Sequence, residues 1–202
     1  ISAGSITWTS LNNNYQTYQY YQVAMDPLSG SDIVIAGAQD NGTTAGGTDF
    51  GQPDATTMTS IFGGDGVGVA LARRNGGTEL DAYIGSQLGN FYRYNTANGY
   101  TYIEPNGSSS QFVTYFYLDP VNDNALYYAG QSSLYRTTNA ETVTTLVTPS
   151  GWENLGALTT SQNLRSFATS PGGYSASSYL LIGGQNGGVF RLDDPHNATA
   201  AN

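Results

Sequence analysis

One short phrase recurs four times in this chain, and its spacing restricts the folds open to it more than any other feature. It reads Ile35-Ala36-Gly37-Ala38-Gln39, Ile84-Gly85-Ser86-Gln87, Ala129-Gly130-Gln131 and Ile182-Gly183-Gly184-Gln185. The glutamines at 39, 87, 131 and 185 are 48, 44 and 54 residues apart. A self-similar period of about 40–50 residues marks a repeat architecture in which each unit is one small sheet stacked on the next. The flanks repeat as well. Three of the glutamines are followed by an aromatic residue and an arginine: Tyr92-Arg93, Tyr135-Arg136 and Phe190-Arg191.

Each unit resolves into four strands. Strand a alternates in polarity over 20–25, 67–72, 113–118 and 164–169, and ends at a turn rich in Pro or Gly, such as Asp26-Pro27 or Asp119-Pro120. These residues supply the backbone angles a tight turn needs. Strand b ends at Gln, strand c carries the aromatic-Arg pair, and strand d is the Trp- or Tyr-bearing segment at 6–11, 100–103 and 152–155. No stretch holds a 3.6-residue apolar period, so little helix is expected. The reading is all-β: a β-propeller segment of about four four-stranded blades. A lone outer strand of a preceding blade occupies 1–14. Blades follow at 15–66, 67–104, 105–160 and 161–194, the last lacking strand d, and 195–202 is a tail. The expectation is a part of a larger ring. The alternative is a closed four-bladed propeller in which strand d at 6–11 pairs with the last strand c at 188–192, hiding both sheet edges.

Composition excludes several functions. The 202 residues include 15 acids and six bases, for a formal charge of −9, and every base is an arginine. Phosphate-backbone binding needs clustered cations, so nucleic acid is not an expected partner. No apolar run is long enough to cross a membrane as a helix. Cysteine is absent, which removes disulfides and thiolate chemistry. The single histidine, His196, cannot serve a Ser–His hydrolase from so near the chain end.

The segment Gln39-Asp40-Asn41-Gly42-Thr43, with Gly63-Gly64-Asp65-Gly66, the opening Trp8-Thr9-Ser10-Leu11-Asn12 and the stretch Tyr21-Gln22-Val23-Ala24-Met25-Asp26-Pro27, resembles large secreted bacterial β-propellers. These belong to the sialidase-like and sortilin-like superfamily with Asp-box-type repeats. Many are exported by Bacteroidetes through the type IX route. The resemblance implies a secreted or cell-surface module of a larger polypeptide, acting as a scaffold or binding and adhesion domain. Its partners would be a glycan, another surface or secretion protein, and the remainder of its own polypeptide. The alternative it carries is an extracellular glycoside hydrolase. No intact Asp-box is present.

Alternation of strands assigns loops to faces. Loops b–c and d–a share one face, which should present Gln39, Asp40, Asn41, Asp65, Gln87, Gln131 and Gln185, with Glu104 and Asn186 beside them. Asp40 and Asp65 have three readings. They can form a glycosidase pair. With Asn41 they can ligate Ca²⁺, the one cofactor this sequence suggests. Or each can cap free N–H groups of its Gly-rich loop, which is the expected role. The repeated Gln is expected to bond backbone of a neighbouring blade. The three aromatic-Arg positions should be spread around the ring, too far from the axis to converge on one carboxylate. Tyr15, Tyr18, Tyr20 and Tyr21 are expected to pack between strands, with stacking on sugar rings as the alternative.

Overall fold

The computed structural model describes residues 7, 9, 17–147, 150–157 and 162–200. Four antiparallel sheets follow one another along the chain. The first holds β1 (Tyr20–Met25), β2 (Val34–Ala38), β3 (Gly42–Gly46) and β4 (Met58–Phe62). The second holds β5 (Gly68–Arg74), β6 (Glu79–Gly85), β7 (Phe91–Asn95) and β8 (Gly99–Tyr102). The third holds β9 (Phe116–Leu118), β10 (Leu126–Gly130), β11 (Ser133–Thr137) and β12 (Glu153–Ala157). The fourth has β13 (Leu164–Thr169), β14 (Tyr179–Gly184) and β15 (Val189–Asp193). Within each sheet every strand pairs with its neighbour in the sequence. Helix is confined to three short 3₁₀ turns among the described residues. The strand expected at 6–11 lies, but for Thr7 and Thr9, outside the described residues, as does Tyr15.

The Asp-Pro turns close by the same device. Asp26 accepts the Leu28 N–H at 3.0 Å, and Asp119 accepts those of Val121 at 2.9 Å and Asn122 at 3.2 Å. A short carboxylate there bonds its own backbone and fixes the reversal.

The second strand of each blade explains how sheets stack. In β6, Leu80, Ala82 and Ile84 point toward the first blade and join Ile33, Ile35, Val69 and Leu71 in one apolar cluster. The alternate residue Tyr83 points toward the third blade, packing near Phe91, Leu126 and Tyr128. In β10, Tyr127 and Ala129 face the fourth blade with Leu134, Leu164, Leu180 and Ile182. A strand buried on both faces has lost the hydrophobic–polar alternation of a half-exposed one, which is why β10 and the Ala82–Ile84 stretch of β6 read as continuous apolar runs. Three clusters join blade 1 to 2, 2 to 3 and 3 to 4. None among the described residues joins blade 4 to blade 1.

Arg73 and Arg74 enter these layers paired with carboxylates. Arg74 is bonded to Asp81 at 2.9 Å, to the Tyr83 hydroxyl at 3.0 Å and to the Asp123 carbonyl at 2.9 Å. Burial pushes the Tyr83 hydroxyl well above the usual tyrosine range, against the pull of Arg74. Arg73 similarly clasps Asp26 of the preceding blade in a two-point contact.

Candidate functional site

The Gly-rich loops of blade 1 meet at the b–c face through backbone, so close that side chains would not fit. A Cβ on Gly66 would overlap the Gly42 carbonyl, and one on Gly37 would stand 2.8 Å from the Gly66 carbonyl carbon. This contact brings Asp40 and Asp65 together, 25 residues apart in sequence. The Asp65 carboxylate accepts the Asp40 N–H at 2.7 Å, and the Asp65 N–H donates to Gln87 Oε1, also at 2.7 Å. Ser86 donates to the same Gln87 oxygen at 2.5 Å. Asp40 adopts φ 58°, which turns its amide toward Asp65. Asn41 donates its side-chain amide to the Gln39 carbonyl at 2.9 Å. Gln39 enters the network through its backbone, donating to the Gln19 carbonyl at 3.0 Å.

The other glutamines show the same logic. Gln131 donates to the Ser110 carbonyl at 3.4 Å, in the linker leading into its own blade, as Gln87 holds the linker before blade 2. Gln87 thus bonds backbone of blade 1, the neighbouring blade, whereas Gln131 ties the entry segment of its own blade to the b–c turn. Gln185 instead accepts from Arg165 at 3.0 Å. In blade 4 Gln162, in the linker, accepts the Asn186 N–H at 3.2 Å, with the roles of linker and turn exchanged.

These contacts bear on the chemistry open to the carboxylates. Asp65 is turned onto a backbone amide, and the Asn41 amide faces its own turn. Among the described residues no three His, Cys, Asp or Glu side chains gather as a metal cage. Of the three residues read as a calcium set, Asp65 and Asn41 are engaged with backbone. Glu104 is held more completely. Its Oε1 accepts from Ser108 at 2.9 Å, Ser110 at 2.6 Å and Tyr128 at 3.1 Å, and Tyr102 donates to Oε2. Its two oxygens are occupied by four hydroxyl donors. The Ser-rich stretch at 108–110 is the sequence signal for this cluster, and sequence reading assigned it no role.

A different feature lies along the axis, where the first strands of the blades converge. Toward the b–c face an open groove of about 320 Å³ is lined by β1, β5, β9, β13 and the residues just before β9. Toward the opposite face lies a second, lower groove of about 470 Å³, lined by β1, β5, β9 and the turns after β1 and β9. Arg165 stands in the upper groove, its guanidinium over the Tyr115 ring at 5.2 Å, bonded to the Tyr115 hydroxyl at 3.1 Å and to Gln185. Tyr21 lies on the same groove and is 46% exposed. Tyr18 and Tyr20 stack on each other, at 48% and 40% exposure. The expectation that these tyrosines pack away between strands does not hold for 18, 20 and 21, because β1 is the innermost strand of its blade and one side of it is left open.

Arg165 is also the odd one among the six arginines. Arg73, Arg74, Arg136 and Arg191 each pair with a carboxylate. Arg93 serves two backbone carbonyls of the next blade. Among the described residues Arg165 meets only neutral side chains, in a chain of net charge −9.

The stacking of sheets can be set beside known structures. The crystal structure of an ancestral GH74 enzyme superposes with a TM-score of 0.51 at 12% identity, over 86% of this chain and 25% of that enzyme. This chain is built as a stretch of β-propeller. The likeness extends to the fold alone, and this chain corresponds to about a quarter of the enzyme's length. No protein-family model matches the sequence, and no curated protein matches it significantly. No helix among the described residues is long and apolar enough to cross a membrane.

Proposed function

We propose that this chain is a ligand-binding module of a secreted or cell-surface β-propeller, and that its ligand is a glycan held in the axial groove. The observation that carries the reading is Arg165, set in an open groove beside exposed Tyr21 and resting on Tyr115 and Gln185, partners it can exchange for a ligand's oxygens. Tyrosine faces offer apolar surface to a sugar ring, and arginine offers paired donors to hydroxyls or a carboxylate. The Lys-free, Cys-free, acidic composition and the resemblance to exported bacterial propellers support an extracellular setting, with export by the type IX route. Adhesion or scaffolding within a larger polypeptide follows from the same resemblance.

The rival reading is an extracellular glycoside hydrolase, raised by the likeness in fold to a GH74 enzyme. Hydrolysis needs two carboxyl groups flanking one bond. Among the described residues the upper groove has no acid in its lining. In the lower groove Asp119 caps its own turn and Asp123 pairs with Arg74. Binding without cleavage is therefore the better supported function.

The test is calorimetric titration of neutral and uronic-acid oligosaccharides into the protein and into Arg165→Ala. Micromolar to millimolar affinity that falls at least about tenfold, or 1.4 kcal/mol, in the variant is the expected result. Unchanged binding in Arg165→Ala, or none in the parent, rejects the site. Release of reducing ends by the parent favours the hydrolase.

A further inference from the structure

Two joints between blades are made in the same way. Arg93 in β7 donates from Nη1 to the carbonyls of Ala140 at 2.8 Å and Val143 at 3.3 Å, in the c–d turn of blade 3. Arg136 in β11 donates from Nη1 to the carbonyls of Pro195 at 2.7 Å and Ala198 at 3.0 Å, in the turn after β15 of blade 4. In both turns the accepting carbonyls stand three residues apart. Both turns carry the same internal bonds: Thr142 and Val143 donate to the Asn139 carbonyl, and Asn197 and Ala198 donate to that of Asp194. The segment just beyond 194, expected as a tail, is thus the gripped half of a joint. Blade 3 carries both halves: Arg136, which grips the next blade, and a turn gripped by Arg93 of the blade before.

Blade 1 shows that the two halves are matched. Strand register places Ala45 opposite Ile35, where Arg93 lies opposite Tyr83, Arg136 opposite Tyr127 and Arg191 opposite Leu181. Blade 1 therefore has no arginine at this position, and the turn of blade 2 that would receive it closes on itself. There Asn95 accepts the N–H groups of Ala97 at 2.9 Å and Asn98 at 3.0 Å.

Arg191 is the third arginine of the series, and no turn lies against it among the described residues. Its side chain is 56% exposed, against 4% for Arg136. It bonds Asp193 of its own strand at 2.7 Å and lies over the Tyr179 ring at 4.3 Å. The apolar positions around it are open as well. Leu181 and Val189 occupy the register positions that in blade 3 are held by the buried Tyr127 and Leu134.

We propose that this face of β14 and β15 docks a further blade of the same propeller, whose c–d turn offers Arg191 two carbonyls three residues apart. Leu181 and Val189 supply the apolar contact, as Tyr127 and Leu134 do one blade earlier. The inference rests on reading the chain as part of a larger ring, and not on what the ring binds.

The test uses the native polypeptide as isolated, treated with phenylglyoxal and mapped by mass spectrometry. Arg93 and Arg136 serve as internal references for a closed joint. Arg191 is expected to react at least roughly tenfold more slowly than in the denatured polypeptide, as a group released only by opening would. Arg191→Ala should lower the melting temperature by an amount comparable to Arg136→Ala, while Asp193→Asn leaves it unchanged. Fast labelling of Arg191, or an Arg191→Ala variant that melts like the parent, overturns the proposal. Protection that disappears on dilution assigns the face to a second copy and overturns it too. The polypeptide's size separates the two ways to fail. With a longer polypeptide, fast labelling removes only this joint; with the 202-residue chain alone, the larger-ring reading goes with it.

Discussion

Arg136→Ala tests the inter-blade joint where it is most enclosed. The Arg136 side chain is 4% exposed, and its Nη1 serves two carbonyls of the turn after β15. Pro195 and Ala198 are themselves buried, so removing the donor leaves two acceptors without a partner. A buried polar group left unpaired costs about 1–3 kcal/mol. The lost pair with Glu153 adds little, because that carboxylate is 62% exposed and exposed pairs contribute only about 0–1 kcal/mol. One contribution has the opposite sign. The Nε of Arg136 is buried without a partner, and the variant removes that unmet donor too. The balance is a loss of about 2–4 kcal/mol. For a domain of this length, each kcal/mol moves the melting temperature by about 2–4 °C, so a fall of roughly 4–16 °C is expected. Thermal melts by circular dichroism measure the shift, and hydrogen exchange shows where it acts. Amides of 194–200 should lose protection first, because the turn loses its anchor before blade 3 loses its core. A fall below about 2 °C, corresponding to less than 1 kcal/mol, with unchanged exchange at 194–200 would falsify the assignment of this arginine as the joint.

Two further perturbations address other parts of the molecule. Asp65→Asn keeps an oxygen for the Asp40 N–H but loses the charge that strengthens this bond, so a loss of about 0.5–1.5 kcal/mol is expected. Melts with and without chelator should coincide for both proteins; a chelator-sensitive parent would identify calcium as a ligand. His196 gives a pH dependence. Burial lowers its pKa from the ordinary value of 6.5, outweighing the attraction of Asp119, and the ring stacks on Tyr174 with centroids 3.7 Å apart. The unfolded chain therefore takes up this proton more readily than the folded one, and stability must decline as pH falls through 6.5 toward the lower folded pKa. His196→Gln should flatten the melting temperature across pH 7.5 to 5.5 relative to the parent, and an equal slope in both proteins assigns the dependence to other groups.

Much of the fold was legible because each local signal repeats. Period-2 alternation marks β1 and β13, and the Asp-Pro turns close on their own aspartates within three residues, so neither needs the rest of the chain. The aromatic-Arg pairs could be found by inspection. Their targets could not, since Arg93 reaches carbonyls 47 and 50 residues away and Arg136 reaches carbonyls 59 and 62 away. Those distances depend on how far one blade is rotated against the next, which no one-dimensional pattern records.

The site was legible in part for the same reason. Loop faces follow from strand alternation, and that reasoning placed Asp40 and Asp65 on one side. Only the backbone contact at Gly42 and Gly66 brought the Asp65 carboxylate to the Asp40 amide. Arg165 carried no signal at all, lying in an ordinary alternating strand outside the repeated phrase. It becomes a candidate because four first strands converge on one axis and leave its guanidinium facing a groove with neutral company. The sequence by itself determined the period, the strands and their turns, since these depend on side chains within a few residues of one another. The tertiary structure decided which arginines became joints and which one stayed available, since that depends on the packing angle between sheets.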